Sequence, residues 1–260
     1  MELWLTRQPE WLIFVALTVI FALAAEAGCA IARKHGEASD RDLSEISTIQ
    51  SAALGLLALL LGFTFAMAAS RFETRKELIR DEANALGTAS LRALLLPEPQ
   101  RSNTLRLMRT YAQSRFDLQE TRGDLEAVKS VNQRAGEIQT AMWAQAVAAA
   151  ERNPTPVTVS YVQSLNDLID MHGKQVAAIR NRIPIAVFLL LLFVTVIALG
   201  LTGYGSGAAG RHRFTLTLLQ ALLVAAVITL VIDLHRPTRG LITVDMSGMV
   251  DARDAIPAVK

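Results

Sequence analysis

A single cysteine, Cys29, is the whole thiol content of the 260-residue chain. No internal disulfide can form, and no redox compartment can be read from one. Aromatic residues make up only 6% and are not interleaved with basic ones, while 26 Lys and Arg are nearly balanced by 24 Asp and Glu. The basic stripe that would hold a nucleic acid is therefore missing. The four histidines, His35, His172, His212 and His235, fall in separate segments without metal-ligand spacing to acids or to Cys29. His172, in the stretch DMHGK, reads as a solvated helical histidine. Neither a glycine-rich phosphate loop nor a Gly-x-Ser-x-Gly elbow occurs. Catalysis is the least favoured class; no catalytic residue, metal or cofactor is expected.

What the chain has in excess is apolar sequence: 52% hydrophobic residues, at a mean hydropathy of +0.32. The excess sits in blocks, Trp11 to Ala32, Ile49 to Ala69, Ile183 to Tyr204 and Phe214 to Ile232. Each is about 20 residues, the length that crosses roughly 30 Å of hydrocarbon at 1.5 Å rise per residue. Four membrane-spanning helices follow. A lipoprotein signal is the alternative for the first block, because LAAEAGC precedes Cys29, but Glu26 stands where a small aliphatic residue is wanted.

Basic residues set the orientation. Arg71, Arg75, Lys76, Arg80, Lys174, Arg180, Arg182, Arg236 and Arg239 flank the spans on one side, against Arg33, Lys34, Arg41, Arg211 and Arg213 on the other. The richer side is the cytoplasm, so both termini and the long middle segment are expected there, in a bacterial inner-membrane protein. The order is a first hairpin with residues 1–70, a cytoplasmic helical domain over 71–182, a second hairpin over 183–234, and a cytoplasmic tail over 235–260. RKHGEASDRDLSEIST reads as the first loop and GSGAAGRH as the turn of the second hairpin. Within the insert, PEPQ, RGD and NPTP punctuate about four helices. The fold class is all-α.

The second span is the most informative. Gly55, Leu59, Phe63, Ala66 and Ser70 recur along one helical face. Within a lone bundle that face is a packing stripe of small residues and leucines. Around a symmetry axis it would form stacked apolar rings, a constriction that closes to ions by dewetting. Periodicity does not choose between the two.

The stretch LLGFTFAMAASRFETR, Leu60 to Arg75, resembles the neck-forming second helix of bestrophin channels, through Leu61, Gly62, Phe63, Ser70, Arg71 and Phe72. The fuller run SRFETRKELIRDEANALGTASLRALLLPEP, with LNDLIDMHGKQVAAIRNRIP and IDLHRPTRGLITV, resembles the bacterial bestrophin-like membrane proteins. That resemblance implies a homo-oligomer, a pentamer, in the lipid bilayer, conducting inorganic ions through a neck at Phe63 and Leu59, with Gly55 where bestrophins carry a bulkier residue. Arg71, Arg75 and Lys76 are either the ordinary positive flank of a cytoplasmic helix end or lie where the path widens, where they would slightly favour anions such as chloride. Only Pro237 and Gly240 match the segment after the fourth span, where the bestrophin acids are absent, so calcium activation is not implied. Glu82, Asn84, Asn166 and Asp167 match the family pattern and are expected to tie the insert helices together. A non-conducting membrane scaffold or sensor, whose cytoplasmic helices bind a partner, is the rival reading.

Overall fold

The computed structural model describes residues 8–36, 38–121, 124–181, 183–211, 213–236 and 241–257. Arg182, His212, Pro237, Arg239, Gly240 and the Arg122–Gly123 part of the RGD break lie outside them. The described residues form helices α1 (Glu10–His35), α2 (Asp40–Ala93), α3 (Gln100–Glu120), α4 (Leu125–Arg152), α5 (Pro156–Arg180), α6 (Ile185–Ala208), α7 (Phe214–His235) and α8 (Ser247–Ala255), and no strand. Four helical segments are long and apolar enough to cross a membrane.

The first polar loop is shorter than the sequence suggests. Ser39 and Asp42 cap α2 reciprocally, the Ser39 N–H donating to Asp42 Oδ2 at 3.2 Å and the Asp42 N–H to Ser39 Oγ at 3.3 Å. This is the capping-box arrangement, and it starts the helix nine residues before the apolar run. At α5, Thr155 accepts from the Thr158 N–H at 3.4 Å and Pro156 occupies the first turn. Both choices satisfy or dispense with N–H groups that a helix start leaves unpaired.

The chain divides into two compact units, Met1–Ser70 with Ile183–His235, and Arg71–Arg182 with Arg236–Lys260. In the first, α1 and α6 touch backbone to backbone. A Cβ added at Gly28 would collide with the Gly200 carbonyl, at Gly203 with the Ala25 carbonyl, and at Gly207 with the Cys29 carbonyl at 2.5 Å. The glycines expected to turn the hairpin at GSGAAGRH thus partly extend α6 instead, since Gly207 is needed for this close approach. Lipid offers no hydrophobic drive for helix association, so such close contact supplies it. Phe21, Leu57, Leu191, Leu199 and Ile228 fill the remaining core. Hydroxyls in the spans are satisfied within their own helices: Thr64 donates to the Leu60 carbonyl, Thr195 to that of Leu191 and Thr229 to that of Ala225, each at 2.7 Å.

The second unit has its own core, built from Leu86, Leu105, Met108, Met142, Leu165 and Leu168. The C-terminal segment is part of it rather than a free tail. Met249 on α8 is buried there, Gln119 donates to the Val244 carbonyl at 2.7 Å, and the Arg253 guanidinium lies 5.1 Å from the Phe116 ring centroid.

Candidate functional site

Two arrangements stand out, one apolar and exposed, the other polar and sealed. On α2 the side facing the core is Leu57, Thr64 and Ala68, all buried. The opposite side is bare. Gly55, Leu59, Phe63, Ala66 and Ser70 are all exposed, Leu59 at 54% and Phe63 at 64%. A Cβ at Gly55 or Gly62 would meet nothing within 4 Å. The five residues singled out in the sequence therefore share one exposed face of one helix.

The three cations beyond that face behave differently. Arg75 is only 5% exposed. Burial, and then the charge of Arg71, lower its pKa. Arg71 is half-buried and donates from Nη1 to the Asn181 backbone carbonyl at 2.7 Å and to Asn181 Oδ1 at 2.8 Å. Lys76 is half-buried and pairs with Glu73 at 3.4 Å. All three are thus held within the protomer, Arg75 by burial and Arg71 and Lys76 by polar contacts.

The sealed arrangement lies in the second unit. Glu82 on α2 accepts a short hydrogen bond from Tyr111 Oη on α3, and its Oε1 is 3.0 Å from Arg115 Nε, one turn along the same helix. His172 on α5 places Nδ1 3.9 Å from that oxygen and sets its ring edge-on to Tyr111, with centroids 6.1 Å apart. Gln139 on α4 donates to Tyr111 Oη at 3.4 Å. Four helices meet here, and Glu82, Tyr111 and Arg115 are sealed from solvent. Burial raises the Glu82 pKa, with Arg115 and the hydrogen bonds opposing it. Burial and the Glu82 charge push the Tyr111 pKa well up, which keeps the phenol a proton donor. His172 is held down to about 4 by burial and then by Arg115, so it is neutral near pH 7.

This cluster corrects two sequence expectations. His172 is not solvated; it is buried on the stripe Tyr161, Leu165, Leu168, His172 and Gln175. Glu82 does tie helices together, but Asn84, Asn166 and Asp167 do not share that role, because all three face solvent. Asn166 Nδ2 donates to Asp170 Oδ2 at 3.4 Å, within its own helix. Tyr111 and Arg115 were missed as site residues. Their spacing of four residues, with Met108 one turn before, was the available signal.

A third feature is an apolar hollow of about 370 Å³ lined by Trp143, Ala146, Val147, Ala150, Glu151 and Val162, from α4 and α5. Among the described residues no group of three or more His, Cys, Asp or Glu is arranged to hold a metal.

The fold defines an all-α membrane protein whose long apolar helices, α2 among them, present uncovered apolar faces. The bestrophin-like domain family matches residues 18–249, and the chain belongs to that family. Solved structures agree on the fold. A bacterial bestrophin homologue from Klebsiella pneumoniae is 14% identical, with 94% of this chain and 96% of that one covered, at a TM-score of 0.65. A tyrosine-to-alanine variant of a bacterial bestrophin homologue from the same organism is 13% identical, with 94% and 97% covered and a TM-score of 0.68. No curated protein matches the chain.

Proposed function

We propose that the protein is an ion channel of the bacterial inner membrane, a cyclic homo-oligomer with both termini cytoplasmic, and that a pentamer is the assembly. Residues 1–70 and 183–234 form the membrane hairpins, 71–182 the cytoplasmic helical domain and 235–260 the C-terminal segment. The neck is the α2 face of Gly55, Leu59, Phe63, Ala66 and Ser70, closed by apolar side chains that exclude water. The observation that carries this reading is the exposure of Leu59 and Phe63 on a helix whose other side is packed. A large uncovered apolar ridge on a spanning helix either meets lipid or meets copies of itself. The family relationship, together with the sequence resemblance to bestrophin channels, favours the second.

A preference for anions needs the α2 cations to reach the path. The burial of Arg75 and the anchoring of Arg71 on Asn181 speak against that.

The test is flux from liposomes of purified protein, with oligomer mass measured in parallel. Leu59→Ala and Phe63→Ala widen the neck and should raise flux. A monomer or dimer, silent under every ionic gradient in both wild-type and widened forms, would overturn the channel reading.

A second reading rests on the hollow around Trp143 and Val147, where apolar side chains line a recess open to a partner. In that reading the chain is a membrane scaffold or sensor and the α2 face is a packing surface between copies. The silent outcome above would favour it.

A further inference from the structure

We infer that the sealed junction of the second unit is a binding site for an internal water molecule, held by Glu82 Oε2, Gln175 Oε1, Arg115 Nη1 and His172 Nδ1. All four residues belong to that unit, on α2, α3 and α5.

The hydrogen bonds that the protein makes here fall on one side of the Glu82 carboxylate. Oε1 accepts from Tyr111 and lies 3.0 Å from Arg115 Nε, while Tyr111 Oη in turn accepts from Gln139. Gln175, one turn beyond His172 on α5, places its amide beside the same carboxylate. The other side is unserved. Glu82 Oε2, Gln175 Oε1, Arg115 Nη1 and His172 Nδ1 are each buried and have no hydrogen-bond partner among the described residues. His172 Nδ1, at 3.9 Å from Oε1, is too far for one. Buried polar groups are nearly always paired, with ordered water where the protein itself supplies no partner.

The chemistry of the four atoms selects the occupant. The carboxylate and amide oxygens only accept, Arg115 Nη1 only donates, and His172 Nδ1 donates in the tautomer that carries its proton there. A cation would suit the oxygens but face the guanidinium, and an anion would suit the guanidinium but face the carboxylate. Neither ion fits. Water donates twice and accepts twice, which meets two oxygens and two N–H groups in full. Size agrees with this choice. The side chains of Arg115 and Glu82 are 1% and 0% exposed, so a larger solute could not stand beside both without parting α2 from α3. Water at this point also supplies part of the hydration that the charge pair gives up on burial.

The experiment is crystal structures of the full wild-type chain and of Gln175→Leu, at a resolution that shows ordered water. The wild type should carry a density peak within about 3.2 Å of both Glu82 Oε2 and Arg115 Nη1. Gln175→Leu removes an acceptor at similar volume, and should lower the occupancy of that peak while Glu82 and Arg115 stay in contact. Should the variant not fold, the wild-type map decides by itself. A map with ordered water elsewhere in the second unit and none at the junction would overturn the inference. So would Oε2 bonded directly to Gln175, as in a protonated carboxyl donating to the amide oxygen, or a peak that Gln175→Leu leaves unchanged.

Discussion

Arg115 Nε lies 3.0 Å from Oε1 of Glu82, and both side chains are sealed from solvent. The pair joins α2 to α3 where Tyr111 and His172 close around it. Two charges taken out of water are held together by geometry, and losing one strands the other. Glu82→Leu or Arg115→Met alone should cost about 3–5 kcal/mol, whereas the double substitution should recover much of that loss. Thermal unfolding of the four proteins in detergent gives the coupling. Additive losses would show that the pair is not a unit.

His172 makes stability depend on pH. Its folded pKa, held near 4, lies below its ordinary value of 6.5. The unfolded chain therefore binds more protons between those values, and stability falls as the pH drops from about 6.5 to about 4. The loss from this residue is at most about 3 kcal/mol over that window. Glu82, raised by burial, acts in the opposite sense in acid. His172→Gln should therefore flatten the unfolding profile between pH 6.5 and 4, and a profile as steep as the wild type's would contradict the assignment.

Glycines in the first unit should differ sharply in tolerance. A Cβ at Gly203 collides with the Ala25 backbone, whereas one at Gly62 meets nothing within 4 Å. Gly203→Val should separate α1 from α6 and cost about 1–3 kcal/mol or more, as overpacking does. Gly62→Ala should leave the protomer's stability unchanged or slightly raised, since helix propensity favours alanine. Melting temperatures of the two variants in one detergent decide this. Equal losses would mean that the α1–α6 contact is not the close one described.

The spans were legible in the sequence because about 20 apolar residues in a row have few other uses. The early start of α2 at Asp40 was not, because its first turns are polar and only the Ser39–Asp42 cap announces them. The exposed face of Gly55, Leu59, Phe63, Ala66 and Ser70 could be grouped by periodicity, but whether a neighbour covered it was a tertiary fact. The Glu82 cluster draws its members from four helices, so no local spacing joins them. His172 was readable in part, since it falls in step with Tyr161, Leu165 and Leu168. A histidine in step with an apolar stripe is better read as buried.

The most direct test of the account is the structure of the assembled protein in lipid, read at Leu59 and Phe63. The account predicts five copies of α2 around one axis, with these side chains narrowing a continuous hole. Finding both residues packed against a neighbouring copy's helices or facing lipid, with no axial opening beside them, would contradict it.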